Sequence, residues 1–310
     1  MAIAAVFPGQ GSHRAGSLDA WRDHPAFAVT EDISAALGRD IVAIAGDGTA
    51  GSRTADAQPA IFTASIVAWQ ALTDAGVDVD VVAGHSLGEY TAACAGGCFD
   101  VSAASRLVGA RGAAMAASCA ANPGTMAAIV KLDPDAVAAL VADIPQLVVA
   151  NDNAHGQAVV AGPHDAVDRV RDRAREAGGR AVPLDVEGAF HSPAMAEAVD
   201  KVAAALAALD IADPRVPLVS GASASALRTG TAIGDALVAG MLAPVRWREV
   251  QAELAAMGVT ELLEVGPGGV LSGLAKRELA GVRVHRIEAP DDVADVVGAL
   301  ADHKCSEVAS

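Results

Sequence analysis

Ser86, a serine set between two glycines, has the clearest chemical context in this chain. Residues 84–88 read Gly-His-Ser-Leu-Gly, after a mostly apolar run over 79–83 and before a helix-like segment over 89–93. Gly-x-Ser-x-Gly between a strand and a helix is typical of a nucleophile elbow, where a sharp turn exposes the serine oxygen. The glycines permit the turn, and the helix N-terminus stabilises negative charge. The alternative is a glycine-bounded turn with a surface serine, and the strand-turn-helix context favours the nucleophile.

The base that a serine alcohol requires at neutral pH is best supplied by His191. This histidine follows the last strand predicted in the middle of the chain, so it would lie at a junction of two units and face their cleft. The alternative is a loop histidine that caps the helix beginning near Pro193. His85 adjoins the serine, but neighbours on a turn point in different directions, so we expect its ring to pack. Nothing singles out an acidic partner, which leaves a dyad oriented by a backbone carbonyl.

Two further features suit a serine nucleophile. The first turn of the chain, residues 7–12, is glycine-rich and could donate a backbone N–H to an oxyanion, with a second N–H from Leu87. Arg111 lies in an Ala-rich helix-like stretch over 103–120. It faces either the surface, which the sequence slightly favours, or a buried anion that its guanidinium would bind through two hydrogen bonds.

The elements that must position these residues alternate between short apolar runs and amphipathic stretches. Outside the middle of the chain, strands are predicted at 3–7, 80–84, 216–220, 261–265 and 282–287. Strands that alternate with helices predict a parallel sheet covered on both faces. The middle reads as β-α-β-β-α-β, which is the split pattern of a ferredoxin-like unit. We therefore predict an α/β fold with a large discontinuous domain, 1–122 plus 192–310, and an inserted small domain, 124–189.

Composition and charge narrow the classes of function. The 310 residues are 52% hydrophobic and 19% charged, which predicts a well-buried globular chain. The net charge of −16 argues against nucleic-acid binding, and an acidic partner would need a local basic patch. The candidates for that patch are Arg246, Arg248, Lys276 and Arg277.

The cysteines and the first residues bear on the compartment. Four scattered cysteines are too few for a disulfide framework, and the spacing of Cys94 and Cys98 fits core packing better than zinc binding. The chain begins without a basic leader and has no apolar run of membrane-spanning length. We expect a cytoplasmic protein.

These pieces together resemble the malonyl-CoA:acyl carrier protein transacylases, within the wider acyltransferase family of fatty-acid and polyketide synthesis. The matching motifs run nearly from end to end: Phe-Pro-Gly-Gln-Gly-Ser at 7–12, Gln-Pro-Ala at 58–60, Gly-His-Ser-Leu-Gly-Glu-Tyr at 84–90, Arg-Gly at 111–112, Asn151, Asn153 and Gly-Gln at 156–157, Ala-Phe-His-Ser at 189–192, Pro-Val-Arg-Trp at 244–247 and Val-Gly-Pro-Gly at 265–268. The family's fold is a hydrolase-like α/β domain with a ferredoxin-like insert, which agrees with the architecture predicted above.

The resemblance implies a ping-pong transfer. Ser86, activated by His191, would attack malonyl-CoA, and the phosphopantetheine thiol of acyl carrier protein would then take the malonyl group from the serine. By the same resemblance, the backbone N–H groups of Gln10 and Leu87 would bind the oxyanion. Arg111 would pair with the malonyl carboxylate.

The resemblance also implies two supporting roles. A backbone carbonyl near Arg246 would orient the histidine, and the ring of Phe190 would leave little room for an α-methyl branch on the acyl group. No cofactor is expected, because the coenzyme A thioester is a substrate. The expected partners are malonyl-CoA and acyl carrier protein, without nucleic acid or membrane, and we expect a monomer.

Two positions depart from the family's Asn-x-Asn-x-Pro-Gly-Gln loop. His155 stands in the proline position, and Asp152 stands where apolar or aromatic residues are common. They bear on the detail of the pocket and not on the class of reaction. The open alternatives are a trans-acting polyketide-synthase acyltransferase, a malonate decarboxylase acyltransferase subunit, an acyl-thioester hydrolase that uses water as acceptor, and a non-catalytic scaffold subunit.

Overall fold

The computed structural model describes residues 1–308, with side chains described through residue 303. The strands are β1 (Ala2–Phe7), β2 (Val81–Gly84), β3 (Thr125–Val130), β4 (Val148–Ala154), β5 (Gln157–Gly162), β6 (Arg180–Pro183), β7 (Leu218–Val219), β8 (Ala226–Leu227), β9 (Val259–Val265) and β10 (Arg283–Ile287). The α-helices are α1 (Val29–Leu37), α2 (Ile41–Gly46), α3 (Thr54–Asp74), α4 (Leu87–Ala95), α5 (Val101–Ala121), α6 (Pro134–Ala142), α7 (His164–Glu176), α8 (Ala196–Ala207), α9 (Gly230–Ala239), α10 (Trp247–Ala256), α11 (Val270–Glu278) and α12 (Pro290–Val308). Of these described helices, none is both long and apolar enough to cross a bilayer.

The larger sheet has six strands in the order β10-β9-β1-β2-β7-β8. Neighbours are parallel from β10 through β7, and β8 closes the edge antiparallel to β7. The central strand β1 is buried on both faces: Ala5 and Phe7 pack in one hydrophobic cluster, and Ala4 and Val6 pack in another. Parallel neighbours need crossover helices, and these cover the two faces of the sheet.

The smaller sheet has four antiparallel strands in the order β4-β5-β3-β6. Helix α6 connects β3 to β4, and α7 connects β5 to β6, which gives the predicted β-α-β-β-α-β order. One face packs on these helices through Ile129, Val137, Val160 and Val170, which are fully buried. The predicted α/β fold with a ferredoxin-like unit is confirmed. The boundaries 1–122 plus 192–310 and 124–189 stay a prediction.

One strand is shorter than predicted, and one helix contains a proline. β7 covers only Leu218–Val219, because the chain turns back after it to pair with β8. Helix α3 begins at Thr54, so Pro59 lies inside it. A proline cannot donate to the carbonyl four residues earlier. That carbonyl belongs to Ala55, and Arg39 donates to it at 3.1 Å, so the helix continues through the proline.

The smaller unit is attached to the larger one along β4. Val245, in the loop before α10, exchanges backbone hydrogen bonds with this strand and accepts from the Asp152 N–H at 2.9 Å. The Asp152 carboxylate pairs with Arg248 at 2.7 Å, and the His155 Nδ1 lies 2.8 Å from the Glu278 carboxylate. The two residues that depart from the family's loop therefore hold the smaller unit against α10 and α11.

Candidate active site

Ser86 lies on a tight turn between the end of β2 and the first residue of α4. Its backbone has φ 55° and ψ −106°, an uncommon combination for a residue with a side chain. The glycines are required, because a Cβ at Gly84 would lie 1.9 Å from the carbonyl carbon of Gly88. A Cβ at Gly88 would lie 1.9 Å from the carbonyl oxygen of Phe7. The turn therefore presents the serine oxygen at the start of α4, in the geometry of a nucleophile elbow.

His191 meets this serine although 105 residues separate them along the chain. Its Nε2 lies 2.9 Å from Ser86 Oγ. Its Nδ1 lies 2.9 Å from the carbonyl oxygen of Gly240 and 3.1 Å from that of Ala243. Carbonyl oxygens only accept, so Nδ1 carries the proton and Nε2 presents a lone pair to the serine hydroxyl. The imidazole is thus oriented as a base without an acidic partner.

The prediction that a carbonyl near Arg246 orients this histidine is wrong in its position. Helix α10 begins directly after Arg246, and the Arg246 carbonyl accepts from the Val250 N–H at 2.9 Å in the first helical turn. The orienting carbonyls lie earlier in the same loop, at Gly240 and Ala243.

The electrostatic surroundings keep His191 neutral. Burial, together with the positive charge of Arg111 and the neighbouring His85, lowers the pKa of His191 to about 3. The imidazole is therefore unprotonated at neutral pH and free to accept a proton. An anion that offsets the charge of Arg111 would raise this pKa again.

Arg111 is buried, with 2% of its surface exposed, so the surface orientation that the sequence slightly favoured is wrong. Helix α5 packs against α3 and α4, which carry Gln58 and Tyr90 beside the arginine. Its Nη2 donates to Ser86 Oγ at 3.1 Å and its Nη1 to Gln58 Oε1 at 2.6 Å. Its guanidinium carbon lies 4.9 Å from the centroid of the Tyr90 ring. Among the described residues its Nε has no hydrogen-bond partner. A buried guanidinium with an unused donor suits a carboxylate ligand.

The backbone N–H groups predicted to bind an oxyanion stand at two helix starts near Ser86. Leu87 is the first residue of α4, and Gln10 is the first residue of a short 3-10 turn after β1. The first N–H groups of a helix have no intrahelical acceptor. Both residues line the same cleft as the serine oxygen, which is where a tetrahedral oxyanion would form.

A cleft of about 300 Å³ opens over Ser86, and residues of both units line it. Its polar side chains include Asn151, Asn153 and Gln157. Its apolar lining includes Met115, Met126, Val159, Leu184 and Phe190. This lining suits a long, thin substrate arm with an apolar body and a few amide groups.

The His85 ring packs, as expected, and does not approach the serine oxygen as a base. Its Nε2 lies 2.8 Å from Asn153 Oδ1, and its ring meets Trp247 edge-on with centroids 5.5 Å apart. The hydrogen bond joins the nucleophile turn of the larger unit to β4 of the smaller one. Burial lowers the pKa of His85, so this ring is neutral too.

The four residues predicted to form a basic patch differ in whether an acidic side chain pairs with them. Arg246 pairs with Glu249, and Arg248 pairs with Asp152, so their charges are largely offset. Lys276 and Arg277 are exposed at the end of α11, and Arg277 donates to Gln157 Oε1 at 2.8 Å. Because Gln157 lines the cleft, Arg277 lies beside it, and Lys276 is its neighbour in the chain.

Neither cysteines nor metal ligands form a second site in the part of the chain with described side chains. Cys94, Cys98 and Cys119 are free and buried, whereas the Cys305 side chain lies outside the described residues. No group of three or more His, Cys, Asp or Glu in that part could hold a metal ion.

Several residues of the site had no role in the sequence analysis. Gln58 and Asn153 belong to motifs that carried the resemblance, so the signal was present without a function attached. Gly240 and Ala243 act through backbone carbonyls, which no residue type announces. Glu89, three residues after Ser86, is buried beside it.

The whole site lies in the part of the chain that is similar to known proteins. The sequence model of the family described as acyl transferase domain matches residues 5–304. The chain is 38% identical over 301 residues to the malonyl CoA-acyl carrier protein transacylase of Escherichia coli strain K12, covering 94% of this chain and 97% of that protein.

Solved structures with a similar fold also cover nearly the whole chain. The acyl-carrier-protein S-malonyltransferase from Burkholderia pseudomallei 1710b superposes with a TM-score of 0.91 at 37% identity, covering 96% of this chain and 100% of that one. A malonyl-transacylase in complex with its type II PKS acyl-carrier protein superposes with a TM-score of 0.91 at 33% identity, covering 95% of this chain and 98% of that one.

Proposed function

The chain belongs to the acyl transferase family, and on that premise we propose that it transfers a malonyl group from coenzyme A to the phosphopantetheine thiol of acyl carrier protein. The observation that carries this proposal is the meeting of two groups at one oxygen. His191 Nε2 lies 2.9 Å and Arg111 Nη2 lies 3.1 Å from Ser86 Oγ. A serine and a base alone would suit any acyl thioester. The buried guanidinium adds a preference for an acyl group that ends in a carboxylate.

The first half of the reaction makes a serine ester. Ser86 Oγ gives its proton to His191 Nε2 and attacks the thioester carbonyl of malonyl-CoA. The N–H groups of Gln10 and Leu87 bind the oxyanion of the tetrahedral intermediate. The intermediate collapses, the carbon–sulfur bond breaks, and the coenzyme A thiolate leaves with the proton from His191.

The second half reverses these steps with a different thiol. The phosphopantetheine thiol gives its proton to His191 and attacks the malonyl-serine ester. The carbon–oxygen bond to Ser86 then breaks, and the serine oxygen recovers the proton from His191. No cofactor takes part in either half.

The malonyl carboxylate has two effects through Arg111. It gives the buried guanidinium a carboxylate acceptor for its Nε, which has no hydrogen-bond partner among the described residues. It also offsets the positive charge that lowers the pKa of His191. A malonyl substrate therefore raises the basicity of His191, which takes the proton from the attacking serine, and an acyl group without a carboxylate does not.

The ring of Phe190, directly before His191, is buried in the wall of the cleft. We propose that it limits the room beside the α-carbon of the acyl group. A malonyl group would fit, and a branched malonyl group with an α-methyl would meet the ring.

The carrier protein is proposed to dock beside α11. This helix lines the cleft through Leu271 and Leu274, and Val270 at its start is 48% exposed. Its last turn carries Lys276 and Arg277, which offer positive charge to an acidic partner. Since one chain supplies every catalytic group, a monomer suffices for the reaction. The free cysteines favour a reducing compartment, which supports the proposed cytoplasmic location.

The experiment is intact-mass analysis in two stages. The protein is first incubated with malonyl-, methylmalonyl- or acetyl-CoA, and the acyl-enzyme is measured. Purified acyl-enzyme then receives acyl carrier protein with its phosphopantetheine arm, or the same protein without the arm as control. We expect a malonyl adduct that moves to the carrier only when the arm is present. Loss of malonyl as free malonate at the same rate with either carrier would overturn the transfer function in favour of hydrolysis.

A further inference from the structure

Glu89 stands in the wall of the catalytic site and has no part in the mechanism above. It lies on α4 and is 5% exposed. Together with Ser86, Arg111 and His191 it borders a small cavity of about 10 Å³. A buried carboxyl is costly unless hydrogen bonds or charges compensate for its lost hydration. The hydrogen bonds of Glu89 therefore indicate which part of the site this carboxyl supports.

A continuous set of hydrogen bonds leads from Glu89 to the loop that orients the base. Glu89 Oε2 accepts from the Gly221 N–H at 3.1 Å. The carbonyl oxygen of Gly221 accepts from the Arg246 N–H at 2.8 Å. Arg246 ends the loop 240–246, whose carbonyls at Gly240 and Ala243 hold His191 Nδ1.

Building on the proposed function, we propose that Glu89 is a positioning residue that clamps Gly221, and through it the loop 240–246, in the place that aims His191 Nε2 at Ser86. Among the described residues, the two carbonyls of the loop are the hydrogen-bond acceptors of the imidazole Nδ1. The placement of the loop therefore sets the distance between base and nucleophile. Glu89 thus supports His191 indirectly, because it holds the loop whose carbonyls accept from Nδ1.

The loop 240–246 has a second attachment, on the smaller unit. Val245 exchanges backbone hydrogen bonds with β4 of the smaller unit. That attachment joins the loop to the smaller unit, whereas Glu89 lies in the first turn of α4, which begins directly after Ser86. The clamp at Gly221 therefore ties the loop to the nucleophile itself. The fit at Gly221 is close, since a Cβ there would lie 3.2 Å from Glu89 Oε2.

The charge of Glu89 adds a second consequence. The charged and titratable groups that face it are Arg111 and Tyr90, and His191 lies across the cavity. Burial raises the pKa of Glu89 to about 7, against the opposing effects of Ser220, Gly221 and Arg111. Both the neutral and the ionised carboxyl accept from Gly221, so the clamp holds in either state. The ionised form, however, competes with a malonyl carboxylate for Arg111.

Three substitutions separate these effects. Glu89→Gln keeps the acceptor and the length of the side chain but removes the charge. Glu89→Leu removes the acceptor at similar volume, and Glu89→Asp keeps the charge but shortens the reach. Glu31→Gln, at an exposed position on α1, is the matched control. For each protein, kcat and KM for malonyl-CoA are measured from about pH 6 to about pH 9, with thermal unfolding to verify the fold.

We expect kcat of Glu89→Gln to stay within about threefold of wild type at about pH 6, since the hydrogen bond is retained. We expect Glu89→Leu and Glu89→Asp to lower kcat by about 10- to 100-fold with little change in KM, because a displaced base slows chemistry more than binding. KM of the wild type should rise above about pH 7 relative to that of Glu89→Gln.

Wild-type kcat in Glu89→Leu would overturn the clamp. If Glu89→Leu does not fold, the comparison of Glu89→Asp with Glu89→Gln decides: an unchanged Glu89→Asp overturns the proposal, and a slow Glu89→Asp beside a normal Glu89→Gln supports it. KM curves that run parallel in wild type and Glu89→Gln would overturn the competition for Arg111. These results differ from a failure of the proposed function, in which the wild type itself would form no malonyl-enzyme.

Discussion

Replacement of Arg111 by alanine tests how the site selects its acyl group. The substitution removes the guanidinium that we propose to pair with the malonyl carboxylate, and it removes the donor to Ser86 Oγ at 3.1 Å. Arg111 is buried, with 2% of its surface exposed, so the charge pair would form in a largely desolvated place. Truncating one member of a buried, hydrogen-bonded charge pair costs about 2–5 kcal/mol. At about 1.4 kcal/mol per factor of ten, kcat/KM for malonyl-CoA should fall by about 30- to 4,000-fold.

The kcat/KM for acetyl-CoA should not fall in this variant. Acetyl-CoA has no carboxylate to lose, and the variant lacks the cation that lowers the pKa of His191. We therefore expect kcat/KM for acetyl-CoA to stay the same or to rise, which would reduce the preference for malonyl by at least the factor lost on malonyl.

The assay is the rate of acyl-enzyme formation with each donor, measured by rapid quenching and intact mass. Arg106→Ala is the matched control, because Arg106 lies on the same helix α5 but is exposed. It should leave both rates as in the wild type. Equal losses on malonyl and acetyl in Arg111→Ala would refute the carboxylate role and assign Arg111 to the structure of the site alone.

Three further predictions address the turn, the docking surface and the base. Gly88→Ala should yield little folded protein, because the new Cβ would lie 1.9 Å from the Phe7 carbonyl oxygen. The control Gly298→Ala on α12 has open space and should not lower the melting temperature. Equal melting temperatures for the two variants would contradict the tight turn. Lys276→Glu should raise KM for the carrier protein by about threefold or more and spare acylation by malonyl-CoA, with Lys201→Glu on α8 as control, and unchanged carrier kinetics would reject the docking surface. The kcat/KM for malonyl-CoA should not decline between about pH 8 and about pH 6, since the lowered pKa of His191 keeps the free base neutral below its usual 6.5; a fall with a midpoint near pH 6.5 would contradict the burial of the base.

The sequence predicted the parts of this site that depend on local pattern. Ser86 was found because its turn needs glycines at fixed places between a strand and a helix, and those glycines are visible in the sequence. His191 was found because the order of strands and helices places it where the two units join. The β-α-β-β-α-β order likewise depends on consecutive elements, so the order of strands and helices in the smaller unit was predicted.

The parts that depend on contacts between distant segments were not predicted. Helix α5 is buried on several sides, so small apolar residues surround Arg111 all round the helix and no polar face marks an orientation. The carbonyls of Gly240 and Ala243 carry no side-chain signal. The pairing of Asp152 with Arg248 joins residues 96 apart, and only the docking of β4 on α10 brings them together.

The central claim is that Ser86 carries the malonyl group between the two thiols. The most direct measurement is peptide mass spectrometry of the protein stopped with acid shortly after mixing with malonyl-CoA, for wild type, Ser86→Ala and His191→Ala. We predict a malonyl group on the peptide that contains Ser86 in the wild type, none in Ser86→Ala, and slow accumulation in His191→Ala. A malonyl group on another residue, or an undiminished adduct in Ser86→Ala, would contradict the account.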